Sequence, residues 1–178
     1  MEYKEMENLV MTRQACRDFN DKPLEKAVVV KIAKLAKFAP SACNSQPWKM
    51  YVITEQENVK GVTEALCHEG RNRFLQKAKA YVVITEKATT LKEDVLKYFS
   101  VDHFVKYDIG ELVAYVTLIA KSLGVESIVI GWMDKAKLLA SISAEEGEDC
   151  SIAVALGYSD SEIRRKNRLD DGKVIKIL

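Results

Sequence analysis

Ala39-Pro40-Ser41-Ala42-Cys43-Asn44-Ser45-Gln46-Pro47-Trp48 is the stretch around which the rest of the chain reads. It separates a helix-like segment, residues 24–38, from a strand-like one, residues 49–54. Pro40 and Pro47 lack backbone N–H groups and disfavour helix at the residue before each, so neither element runs through. The segment reads as a fixed loop. Ser41, Asn44, Ser45 and Gln46 carry hydroxyl and amide groups able to hydrogen-bond a planar heteroaromatic ligand. Polar groups near a core require partners. Composition fits an ordinary helix-to-strand turn and a binding loop equally well.

Outward from this loop, the pattern alternates between helical and strand periods. Upstream, residues 2–11 read as a short helix with Tyr3, Met6, Leu9 and Val10 on one side. Arg13-Gln14-Ala15-Cys16-Arg17-Asp18-Phe19 follows, and in a helix or turn Arg13 and Arg17 share a face. Asn20 to Pro23 is a turn that opens the helix over residues 24–38, with Pro23 in its first turn.

Downstream, residues 57–67 predict an amphipathic helix, 71–78 a second helical piece, and 81–85 a central strand covered on both faces. Residues 86–106 read as helical and loop pieces forming a small lid, with Tyr98, Phe99 and Phe104 lining a pocket. The strongest helix spans 108–123, apolar all round and stopped by Gly124. It suits both the core of one chain and packing against a second. A strand at 127–131, a short helix at 135–141, a buried strand at 151–158 and a terminal strand at 173–178 complete one α+β domain over residues 1–178.

The chain has 178 residues and a net charge of +1, so it has no electrostatic bias toward nucleic acid or a membrane surface. The four cysteines form no CxxC pair, and no apolar leader opens the sequence, so free thiols in a cytoplasmic protein are expected. His68 and His103 form no metal-binding pair, and no metal is expected. No glycine-rich phosphate fingerprint and no GxSxG elbow is present, so an enzyme built this way takes its reactivity from a cofactor rather than a catalytic side chain. Arg13, Arg17, Lys166 and Arg168 can converge on one dianionic phosphate. Taken alone, the basic run at 164–168 reads more simply as a solvated turn.

The residues carry a resemblance. Arg13-x-x-x-Arg17-x-Phe19 and then Pro40-Ser41-x-x-Asn44-x-Gln46-Pro47-Trp48 resemble the FMN-dependent nitroreductase family. Ser122-Leu123-Gly124, Ile130-Gly131-Trp132, Leu156-Gly157-Tyr158 and Lys166-Asn167-Arg168 follow in the family's order. The resemblance implies a three-layer α/β/α fold with a mixed central sheet, in an intertwined homodimer with FMN at the interface. It places Arg13, Gln14, Ala15 and Arg17 at the flavin phosphate, ribityl chain and pyrimidine edge, with Lys166 and Arg168 completing the phosphate site. Pro40, Ser41, Ala42 and Asn44 come from the other subunit, and Ile128, Val129, Ile130 and Gly131 pass near the flavin with their backbone groups. The strand from Lys173 reaches across to the partner's sheet.

The implied activity is hydride transfer from NADH or NADPH through the flavin to nitroaromatics, quinones or similar electron-poor small molecules. Reductive dehalogenation, flavin breakdown and a non-catalytic flavin carrier are the alternatives. Gln14 and Ala15 depart from the family's frequent arginine and serine, and Arg71 and Phe74 occupy a region where longer members place polar flavin contacts.

Overall fold

The computed structural model describes residues 2–87 and 90–178. Its centre is a four-stranded sheet in the order β1-β2-β4-β3, built from β1 (Trp48–Ile53), β2 (Ala80–Glu86), β3 (Glu126–Ile130) and β4 (Asp149–Gly157). Every neighbouring pair is antiparallel. The expected mixed sheet is therefore corrected. β2 and β3 do run in the same direction, but β4 is inserted between them and separates the parallel partners. The parallel pairing that remains is one bridge, Ala15 to Ser127, on the outer edge of β3.

β2 shows why the sheet is covered on both sides. Side chains alternate across a strand. Tyr81 and Val83 enter one core with Val62, Leu66, Leu138, Ala153 and Ala155, while Val82 and Ile84 enter the other with Val29, Ile32, Ile109, Leu112 and Val116. The first core lies under α3 (Gln56–Leu66) and α6 (Lys135–Ser141); the second lies under α2 (Lys26–Ala36) and α5 (Val105–Ser122). The three-layer expectation holds. The Tyr81 hydroxyl, fully buried, is partnered by Thr63 Oγ1 at 2.6 Å, and burial pushes its pKa up.

Most predicted elements form within a few residues of their expected bounds. α1 (Tyr3–Thr12) is the first, and it lies on α5 with none of its residues buried. The helix at 24–38 begins later than expected, at Lys26. Asn20 Oδ1 accepts from the Lys22 amide at 3.1 Å, which holds the chain in a turn, so Pro23 precedes the helix. Within the lid region lie α4 (Glu93–Leu96) and an aromatic cluster of Phe99, His103 and Phe104 with ring centroids 4.7–5.0 Å apart. These rings pack on one another, and Tyr98, Phe99 and His103 are exposed. Residues 88 and 89 of that region lie outside the described residues.

The terminal strand, expected from Lys173 and against a partner's sheet, does not begin at Lys173. Residues Asp171–Val174 form one helical turn, α7, and the chain beyond it is exposed. A strand requires a neighbouring ladder, and no strand of this chain lies beside it among the described residues. The four cysteines are all free thiols, as expected.

Gly157, at the end of β4, permits the closest packing in the first core. A Cβ built there would stand 2.7 Å from Phe19 Cδ1, and the Phe19 ring is fully buried. Gly157→Ala is expected to cost about 1–3 kcal/mol by overpacking. Thermal unfolding followed by circular dichroism should show the midpoint fall by about 2–4 °C for each kcal/mol lost.

Candidate functional site

α1 ends at Thr12, and Arg13 leaves it in extended geometry, with φ −60° and ψ 124°. Residues 13–17 form neither helix nor turn, the two conformations in which Arg13 and Arg17 would share a face. The Cys16 amide donates to Ser127 O at 2.9 Å, which seats the segment along the free edge of β3. Arg13 and Arg17 stand in two adjoining clefts instead.

Two clefts open along this edge and share Gln14, Ala15 and Arg164. The larger, about 310 Å³, is lined by Arg13, Gln14, Ala15 and residues 164–168. The smaller, about 200 Å³, contains Arg17 with Cys16, Asp18, Ser159 and Glu162. The sequence-predicted Arg13, Gln14, Ala15, Lys166 and Arg168 are thus brought together, with Arg17 next door. The Arg17 guanidinium lies 6.0 Å from the centre of the Phe74 ring.

The C-terminal segment is held in place by the N-terminal one. Gln14 Oε1 accepts from the Arg164 amide at 3.1 Å and from Arg164 Nε at 3.3 Å, while Gln14 Nε2 donates to Glu162 O at 3.2 Å. Arg164 Nη2 donates to Ala15 O. Lys166 Nζ donates to Val10 O at 3.0 Å and to Arg13 O. Sequence reasoning left Arg164 out; the basic run signalled it, but a charge run does not say which of its members turns inward.

Among the described residues, no carboxylate lines the larger cleft. Among the described residues, every cation in an ion pair is a lysine or His68, and no arginine is in one. Burial pushes the Lys166 ammonium below the usual lysine range, and Arg13, Arg168 and Lys121 push it further. Lys121 is itself paired with Glu126, and Glu126 Oε2 is buried without a partner. The cleft is a concentration of unneutralised positive charge, chemically suited to a dianion.

Pro40, Ser41, Ala42 and Asn44 line neither cleft. Their loop is fixed as expected, packed at the start of α5. The Ala42 amide donates to Asp108 Oδ1 at 3.1 Å, the Gln46 amide to Ser41 Oγ at 3.0 Å, and Gln46 Nε2 to Asn44 O at 3.1 Å. Cys43, Asn44 and Gln46 are left-handed, with φ of 53°, 54° and 47°. Asp108 is buried, and its Oδ2 and the Ser45 Oγ have no partner. Ile128 and Ile130 point into the first core, Val129 is partly exposed, and Gly131 is exposed at the end of β3. None of these four lines either cleft.

This is a three-layer α+β protein with a cationic cleft on the open edge of its sheet. It belongs to the nitroreductase family, whose sequence model matches residues 10–158. Lys166 and Arg168 lie beyond that match. A protein of Archaeoglobus fulgidus, provisionally named an NADH dehydrogenase/NAD(P)H nitroreductase, is 27% identical over 158 residues, covering 86% of this chain and 85% of its own. A nitroreductase family protein from Streptococcus pneumoniae has the same fold, with a TM-score of 0.81 at 20% identity over 97% of this chain and all of its own. An FMN-dependent nitroreductase from Clostridium difficile matches with a TM-score of 0.74 at 24% identity, covering 94% of this chain and 96% of its own.

Asp108→Ala is expected to release the loop. The Ala42 amide loses its acceptor, and its hydrogen exchange should accelerate about tenfold. The amides of β2 should be unchanged, as read by exchange with mass spectrometry or NMR.

Proposed function

We propose that this chain is an FMN-dependent NAD(P)H oxidoreductase that works as a homodimer. The observation that carries the reading is the larger cleft: Arg13, Lys166 and Arg168 together, no carboxylate among them, and a lysine already destabilised by its neighbours. A ribityl phosphate, with its two negative charges, relieves that repulsion. Hydrogen bonds between Arg164 and Gln14 tie the two walls of the cleft together. The family membership and the FMN named for the Clostridium difficile relative support the same cofactor.

Bound FMN would supply a carrier of two electrons and a proton between NADH or NADPH and an electron-poor acceptor. The net change is oxidation of NAD(P)H to NAD(P)+ with reduction, for example, of a quinone and one further proton to the hydroquinone. The chain's own part is to bind and orient. Ala15 and Arg17 would sit along the ribityl chain and pyrimidine edge, and the backbone groups of Ile128, Val129, Ile130 and Gly131 would face the ring.

Pro40, Ser41, Ala42 and Asn44, remote from the cleft of their own chain, would form the far wall of the partner's site. An apolar groove of about 270 Å³ between α1 and α5, lined by Met6, Leu9, Tyr115, Leu118 and Ile119, offers surface for that pairing. In the paired state the exposed Val174, Ile175 and Ile177 would also find cover.

Purified protein should be yellow and release FMN on denaturation; colourless protein that takes up no FMN overturns the reading. Anaerobic NADH or NADPH should bleach the flavin absorbance. An unbleached flavin would identify a carrier instead.

Lys166→Gln and Arg168→Gln should each weaken FMN binding by roughly tenfold or more. Riboflavin, which lacks the phosphate, should be affected far less in the same fluorescence titration. Lys166 adds its charge to the phosphate site only when protonated. FMN affinity should therefore fall as pH rises through that lowered pKa, earlier than an ordinary lysine would allow.

A further inference from the structure

Gly131 and Trp132 continue the chain past the last paired residue of β3. The Trp132 indole is 45% exposed, yet it is fixed in place. Its Nε1 donates to His68 O at 3.3 Å, and its carbonyl accepts from Asn72 Nδ2 at 3.3 Å. Asn72 is left-handed, with φ 54°, and its amide also donates to Leu66 O at 2.9 Å. Over the indole, 4.6 Å from the ring centre, lies the Arg71 guanidinium. Among the described residues Arg71 has no ion-pair partner; the adjacent Glu69 approaches His68 instead, at 3.9 Å.

A cation over an exposed ring contributes only about 0.5–1 kcal/mol. That is a small return for ordering an arginine side chain. The arrangement does have a further property. The indole N–H is already satisfied by the protein, so what the ring offers outward is an apolar surface. The guanidinium beside it keeps a planar fork of donors that no acid among the described residues takes up. An aromatic ring and a carboxylate on one small molecule match these two features together.

Position gives the pair its meaning. The bridge aligns Ala15 with Ser127, so Trp132 lies five residues further on, about 16 Å at strand rise. Between them, Arg17 stands over Phe74, and Phe74 belongs to the 3-10 turn that Asn72 opens. Along one edge the order is therefore dianion cleft, Arg17 with Phe74, then Arg71 with Trp132.

We propose that the Arg71–Trp132 stack at the end of β3 is a binding site for planar aromatic anions, such as nitroaromatic or quinonoid carboxylates. As an acceptor site it rests on the oxidoreductase reading; as a binding site it does not. Arg71 supplies the charge and Trp132 the stacking surface. The preference for an anionic over a neutral acceptor is set by Arg71.

The test uses para-nitrobenzoate and neutral nitrobenzene, and reads Trp132 fluorescence, since Trp48, the second tryptophan, is buried. Saturable quenching by para-nitrobenzoate is expected with and without FMN, and Trp132→Phe should abolish it. Arg71→Gln should reduce the preference for para-nitrobenzoate over nitrobenzene by about tenfold, in binding and in kcat/KM. Arg71→Lys, which keeps the charge but not the fork, should restore part of it.

An unchanged preference in Arg71→Gln, or quenching that survives Trp132→Phe, overturns the proposal. If protein that binds no FMN still shows Arg71-dependent quenching, the site stands and the oxidoreductase reading falls. If flavin is bound and bleached by NAD(P)H while the preference ignores Arg71, the reverse holds.

Discussion

One backbone hydrogen bond, from the Cys16 amide to Ser127 O, determines where the cationic edge of this protein runs. Without it the chain leaving α1 has no reason to follow β3. With it, residues 13–17 act as a short fifth edge, parallel to β3, in a sheet otherwise antiparallel. The segment is anchored again downstream, where Phe19 is buried against Gly157 and the Asn20 amide donates to Tyr158 O at 2.8 Å. Between these anchors, Gln14 and Ala15 hold Arg164, and the carbonyls of Val10 and Arg13 hold Lys166. The cationic cleft is thus assembled from the two ends of the chain, fastened to one strand.

Charge is divided by residue type. Lysines such as Lys49, Lys106, Lys121 and Lys135 meet carboxylates, while Arg164 is held by a side-chain amide and a carbonyl, and Arg17 and Arg71 lie over aromatic rings. A lysine is a compact point charge that an exposed acid can satisfy. An arginine keeps a planar array of donors, and when no acid of its own chain occupies them they remain available to a ligand. A near-neutral protein thereby presents a strongly positive edge.

Much of the fold was legible in the sequence because burial leaves a periodic trace. The doubly buried strand at Tyr81–Val82–Val83–Ile84 and the long helix ending at Gly124 both appeared close to where they were expected. Less legible was anything that depends on which strands become neighbours. The sheet is antiparallel because β4 lies between β2 and β3, and no local pattern in Ser127–Ile130 states that. The terminal Lys173–Leu178 alternates like a strand but lacks a ladder in its own chain. In the site, residue types identified Arg13, Lys166 and Arg168, whereas Arg164 and the Arg71–Trp132 pair depend on contacts between segments distant in sequence. The Pro40–Asn44 loop was recognised as stiff, and its stiffness proved to come from side-chain hydrogen bonds as much as from proline.

That loop has a consequence for how the protein can change over evolutionary time. Three of its residues, Cys43, Asn44 and Gln46, take a backbone conformation that glycine adopts without steric cost. Glycine at any of them would relieve local strain, but it would also multiply the shapes open to the unfolded chain and loosen the folded loop. The Gln46 side-chain amide donates to the Asn44 backbone carbonyl, so a change at Gln46 removes part of what holds position 44, while a change at Asn44 leaves the acceptor in place. Drift at this loop is therefore asymmetric: a step at Gln46 forfeits order at two positions, and a step at Asn44 forfeits only its own.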